Sequence, residues 1–135
     1  MYLAFDELSR REVALKWMAT TEGQSRARLR LEIAALRRVQ RPELISGVVR
    51  WLDDGETPTH VWLVMELVYG EPFPGRATPC DWDDVAPTVR SLLEVLDRVH
   101  GAGVVHRDLK PGNVLVMAQR HPVLVDFGLA SLGSS

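Results

Sequence analysis

Two short strings in this chain carry the side chains for one kind of chemistry. The first is His106-Arg107-Asp108-Leu109-Lys110-Pro111-Gly112-Asn113, and the second, Asp126-Phe127-Gly128, begins thirteen residues after Asn113. Asp108 offers a carboxylate that can accept or orient a hydroxyl proton. Lys110 offers a compact positive charge. Asn113 and Asp126 offer hard oxygen ligands of the kind magnesium accepts beside waters and substrate oxygens. Phosphoryl transfer asks for these parts: phosphates held, their charge neutralised, and a nucleophile oriented. Composition points the same way. Of sixteen Lys plus Arg, two are lysines, Lys16 and Lys110, and Asn113 is the one asparagine.

At this spacing the two strings resemble the catalytic loop and magnesium-binding motif of eukaryotic-type (Hanks-type) Ser/Thr protein kinases. Val13-Ala14-Leu15-Lys16 resembles the strand motif whose lysine contacts nucleotide phosphates. Taken alone, that tetrapeptide reads as a strand with a surface lysine. Its weight comes from Glu32, sixteen residues on. The resemblance implies a Lys16–Glu32 ion pair, and the alternative for Glu32 is a salt bridge with a nearby arginine. It further implies Asp108 as base, Lys110 as the group that neutralises the transferring phosphate, and Asn113 and Asp126 as magnesium ligands. Lys at position 110 is the pattern of Ser/Thr kinases. Met65 resembles the gatekeeper and Glu66 to Val68 the hinge whose backbone bonds adenine, with Ala14 and Leu115 on either side of the base. Glu66 to Val68 reads equally as a buried strand entering a loop. Leu36, His106 and Phe127 would form a stacked spine, which is compatible with a plain core reading. Gly128 would supply backbone freedom after the metal ligand.

Positioning these groups takes several elements. Tyr2 to Phe5 and Glu12 to Trp17 read as strands around a polar turn. After a loop over Thr20–Gln24, Ser25 can cap a helix running to about Val39, and Pro42 follows its stop. Leu29, Ile33 and Leu36 form its apolar stripe, and Glu32 sits on that same face, where a carboxylate needs a partner. Val48 to Leu52 and Val61 to Leu67 read as strands around Asp53-Asp54-Gly55, and Tyr69 to Cys80 as a linker. Asp83 to His100 reads as an amphipathic helix with Val85, Val89, Leu92, Leu93, Leu96 and Val99 on one face. Pro87 lies in its first turn, and Gly101 closes it. Val114 to Met117 and Val123 to Val125 read as a hairpin that carries the two central motifs at its ends.

The expected fold class is α+β, a partial two-lobed protein-kinase-like fold. Residues 1–68 would be an antiparallel N-lobe sheet with one helix and without the family's Gly-rich loop, 69–80 the hinge and linker, and 81–135 the start of the helical C-lobe. The family's Gly-rich loop would precede Tyr2, and its remaining C-lobe helices would follow Ser135. The chain by itself is therefore expected to bind MgATP weakly, to transfer phosphate poorly or not at all, and to offer apolar C-lobe surface to a partner or to itself.

The chain has 135 residues, 46% apolar and 25% charged, with a net charge of −2. That balance gives no electrostatic case for nucleic acid or membrane surfaces. Six arginines fall between Arg26 and Arg41, which reads as a solvated helix face. One cysteine, Cys80, fits a reducing compartment. The N-terminus lacks the basic and apolar regions of a signal peptide, so cytoplasmic is the expectation. His60, His100 and His121 show no metal-ligand spacing, and the tryptophans at 17, 51, 62 and 82 read as core or lobe packing. The implied function is ATP- and Mg2+-dependent phosphorylation of protein Ser/Thr hydroxyls. A non-catalytic kinase-like binding module, and a phosphotransferase acting on aminoglycosides or choline, are the competing readings.

Overall fold

The computed structural model of the chain describes residues 1–19, 23–41, 43–75 and 81–133. Pro42, Cys80, Ser134, Ser135 and the first part of the loop expected over Thr20–Gln24 lie outside the described residues. The chain runs β1 (Tyr2–Asp6), β2 (Arg11–Ala19), α1 (Gly23–Val39), β3 (Trp51–Glu56), β4 (His60–Glu66), β5 (Glu71–Pro72), α2 (Trp82–Gly101), β6 (Val104–Val105), β7 (Val114–Val116), β8 (Pro122–Leu124) and β9 (Ser131–Leu132).

Strands β1, β2, β4 and β3, in that order, make an antiparallel sheet. Val61, Leu63 and Met65 alternate inward on β4, as the two-residue period of a strand requires. α1 packs against this sheet, burying Leu29, Ile33 and Leu36 together with Ala35 and Val39. The helix begins at Gly23, so Ser25 lies inside it and is not its cap. The other half of the chain carries no long ladder. Strands β5, β7 and β8 form one small sheet and β6 with β9 another, and α2 packs on β6 and β8.

Strand β3 departs most from expectation. It starts at Trp51 and runs through Asp53-Asp54-Gly55, which is therefore no turn. Gly55 makes this possible, because the Trp62 ring occupies the space a Cβ would need. The reversal falls at Thr57, whose hydroxyl accepts from the N–H groups of Thr59 (3.2 Å) and His60 (3.0 Å). Val48 and Val49 leave this sheet for the other half: Val49 N–H donates to Leu124 O at 3.0 Å, and Val48 bridges Leu124 in parallel. Both are buried, so the segment after α1 ties the two halves together.

The buried stripe of α2 is Thr88, Leu92, Val95 and Val99, whereas Leu93 is 60% exposed. Thr88 is accepted there because its hydroxyl donates to Arg120 O at 3.3 Å. Pro87 lies in the second turn rather than the first. Gly101 is still helical, and the left-handed residue that turns the chain is Gly103, φ +82°. Trp17 and Trp82 are largely exposed and are not core; Trp17 stacks on His60 with ring centroids 4.4 Å apart.

Candidate active site

Lys16 lies on the inward side of β2, between Leu15 and Trp17, which face the other side of the pleat. Its Nζ donates to both carboxylate oxygens of Glu32, at 2.8 and 2.9 Å. Glu32 is 2% exposed on the apolar face of α1. Burial pushes the Glu32 carboxyl above its ordinary range, against the pull of the Lys16 charge and its hydrogen bond; nearby Asp126 adds to the rise, and the Phe127 N–H works against it. Lys16 Nζ also lies 3.8 Å from Asp126 Oδ1. One cation thus joins the sheet, the helix and the Asp126 motif.

In the 106–128 segment side-chain bonds supplement short backbone pairings such as β7 with β8. His106, 2% exposed, contacts Val125 O through Nε2 at 3.1 Å and receives the Asp108 N–H on Nδ1 at 3.2 Å. Its ring meets Phe127 edge-on, with centroids 4.8 Å apart. A single 3-10 turn, Pro111–Asn113, brings Asn113 back toward the loop. There Asn113 Nδ2 donates to Asp108 O at 2.9 Å and to Asp108 Oδ2 at 3.1 Å. Lys110 Nζ stands 3.7 Å from the same Asp108 oxygen. Asp126 Oδ1 accepts Gly128 N–H at 3.1 Å. Left-handed backbone occurs at Arg107 (φ 68°) and Asp126 (φ 59°), and also at Gln119 and Arg120 in the β7–β8 turn, but not at Gly128. Gly128 matters for space instead: a Cβ there would stand 3.2 Å from Asp126 Oδ1.

A cavity of about 440 Å³ opens between these groups, lined by Lys16, Glu32, Asp108, Lys110, Asp126 and Gly128 among others. Arg28 also lines it, one helical turn before Glu32; sequence reading passed over it, although the i, i+4 spacing was the available signal. Ala14, Met65, Glu66, Val68 and Leu115 do not line this cavity. Ala14 and Met65 are buried, and Leu115 and Val68 are half-buried. The Glu66 side chain turns away and accepts Arg50 N–H at 2.9 Å, because β4 alternation sends it opposite Met65.

The donor set can be compared with metals. No group of three or more His, Cys, Asp or Glu side chains able to share a metal occurs among the described residues. Asp126 lines the cavity with its carboxylate, and Asn113, buried and not among the lining residues, keeps its Oδ1 while Nδ2 serves Asp108. Magnesium suits such a set, since it takes few protein oxygens and completes its shell with water and phosphate; zinc does not.

A part-buried Lys16–Glu32 pair and the loop-borne Asp108 and Lys110 thus face one cavity. The chain belongs to the protein kinase domain family, which it matches over residues 1–135. It is 36% identical over 137 residues to the serine/threonine-protein kinase PknE of Mycobacterium tuberculosis, covering 97% of this chain and 24% of PknE. It is 39% identical over 141 residues to the DNA damage-responsive serine/threonine-protein kinase RqkA of Deinococcus radiodurans, covering 98% and 20%. It is 38% identical over 113 residues to the calcium/calmodulin-dependent protein kinase type 1 of Macrobrachium nipponense, covering 77% and 31%. The chain thus spans less than a third of these curated relatives. Use of ATP and Mg2+ is general in this family. No helix among the described residues is long and apolar enough to cross a membrane.

Proposed function

We propose that this chain is the nucleotide-binding and catalytic-loop part of a serine/threonine protein kinase, passing the terminal phosphoryl group of MgATP to Ser or Thr hydroxyls of a protein. Residues 1–68 act as the N-lobe, 69–80 as hinge and linker, and 81–135 as the opening of the C-lobe. Lys16, steadied by Glu32, holds nucleotide phosphates. Asp108 accepts the hydroxyl proton, and Lys110 offsets charge on the group in flight. Asn113 and Asp126 would hold Mg2+, which supplies charge neutralisation at the phosphates. Backbone groups of Glu66 to Val68 and the side chains of Ala14, Met65 and Leu115 receive the adenine. Such a site works where MgATP is available, which puts it in the cytoplasm.

The observation that carries this reading is the position of Lys16, 2.8 Å from Glu32 and 3.8 Å from Asp126, in the cavity that Asp108 and Lys110 also line. Intact Lys16, Asp108, Asn113 and Asp126 speak against a binding-only module. The test is transfer from MgATP to Ser/Thr peptides by the intact protein and by its Asp108→Asn variant. The expected outcome is transfer that Asp108→Asn lowers by about 10²–10⁴-fold. Undiminished transfer by that variant, or labelling of aminoglycosides or choline in place of peptides, would overturn the reading.

A further inference from the structure

The arginines of α1 divide by the part of the chain they reach. Arg26 and Arg30 both pair with Glu56 on the sheet. Arg37 reaches Asp54 at 3.3 Å and lies 5.2 Å above the Trp51 ring, also on the sheet side. Arg38 turns the other way. Its Nη1 donates to Gly133 O at 2.6 Å and lies 3.5 Å from Gly103 O. Those carbonyls sit at one end of the β6–β9 ladder, where Gly133 N–H donates to Gly103 O at 2.7 Å beside the Val104–Leu132 pair.

This ladder is two residues long on each strand. So short a pairing is not self-sustaining, and a charge-assisted bond at its end is stronger than the neutral bonds within it. The same helix carries Glu32, six residues and about 9 Å earlier along its axis. Glu32 is tied to the C-terminal half through Lys16, whose Nζ stands 3.8 Å from Asp126 Oδ1, and Arg38 meets that half through Gly133 and Gly103. A helix held at one such point can pivot about it. A second point fixes its rotation and its slide, and with them the place of the Glu32 carboxylate.

We propose that Arg38 is a positioning residue that locks α1 to the β6–β9 ladder and thereby holds Glu32 where Lys16 and Asp126 can share its field. The contact itself stands on geometry alone. Its catalytic consequence rests on the kinase reading above.

The test is amide hydrogen exchange and phosphate transfer in the intact protein, its Arg38→Ala variant and its Arg38→Lys variant. In Arg38→Ala the Gly133 amide and its β6–β9 neighbours are expected to exchange about tenfold faster, with Leu63 and Met65 amides on β4 unchanged. Arg38→Lys, which keeps the charge but loses the fork, should recover part of that protection. The maximal transfer rate should fall about fivefold or more in Arg38→Ala while the KM for ATP moves less than twofold. Unchanged exchange at Gly133 overturns the proposal. So does an increase spread evenly over the whole chain, or a rate equal to that of the unmodified protein. Should Arg38→Ala fail to fold, Arg38→Lys decides: faster exchange confined to β6–β9 supports the proposal, and none overturns it. If the unmodified protein transfers no phosphate, the kinase reading falls and the exchange result still judges the contact.

Discussion

Lys16 and Asp126 stand 3.8 Å apart, yet the two regions that deliver them are built by opposite means. Lys16 rides on β2, whose residues 11–15 pair with β1 and 13–19 with β4, Lys16 itself lying opposite Leu63. Backbone ladders hold it, and they depend little on which side chains the strand carries. Asp126 sits among strands of two or three residues. There the side chains of His106, Asn113 and Asp126 itself bond to nearby backbone and fix the loop. The comparison teaches where residue identity matters. In the sheet half long ladders carry the strands, whereas in the loop half individual side chains reinforce ladders of two or three residues.

Asp126→Asn should break the comparison most. It keeps the shape but removes the carboxylate that faces Lys16, and peptide phosphorylation should fall by about 10²-fold or more, with the circular dichroism spectrum unchanged. Unaltered transfer would mean that Asp126 is only a structural cap for Gly128.

Leu36→Ala strikes the sheet half instead. Leu36 is fully buried on the inner face of α1, so urea unfolding should show a loss of about 2–5 kcal/mol. A loss under about 1 kcal/mol would show that α1 is loosely seated.

Glu32→Gln separates function from stability. Burial raises the Glu32 carboxyl, so the folded chain binds that proton more tightly than the unfolded chain does. Glu32's contribution is therefore greatest below the ordinary value of 4.5 and is lost as pH rises from there through the raised folded value. In Glu32→Gln that decline should flatten, and stability at pH 7 should stay within about 1 kcal/mol of the original, because a neutral amide escapes the burial cost. Unfolding midpoints across pH 4–8, about one unit apart, check both. A steep loss at pH 7 would show that the pair with Lys16 outweighs burial.

Glu56→Gln should do least. Glu56 is an exposed carboxylate, held below its ordinary range by hydrogen bonds from Arg30 and Arg26. Its unfolding midpoint should not move beyond measurement scatter, since solvent and salt screen such pairs. A clear drop would make the Arg26–Arg30–Glu56 cluster a real clamp on α1.

Legibility followed the same division. The apolar alternation of β4 and the Leu29–Ile33–Leu36 stripe of α1 can be read directly, since each repeats with the period of its element. Strand β3 cannot, because Asp53-Asp54-Gly55 carries turn chemistry and becomes a strand through Trp62 packing over Gly55. On α2, Leu93 looked like core and Thr88 did not. The position of β8 and the Arg120 carbonyl decided otherwise. The backbone role expected of Glu66 leaves its side chain unassigned, and pleating sends that side chain to the Arg50 amide.

What the sequence by itself determined is the family and the set of residues on which the proposed chemistry rests. Asp108, Lys110, Asn113 and Asp126 at their spacing, with Lys16 and Glu32 sixteen apart, are legible because residue type and separation are local facts. What only the tertiary structure decided is who meets whom. It sent Arg26 and Arg30 to Glu56, Arg37 to Asp54 and Arg38 to the Gly133 carbonyl, and it paired β6 with β9. An arginine carries no mark of its partner, and a two-residue strand carries no period. Both are settled by contacts between residues far apart in the chain, and those exist once the whole chain has packed.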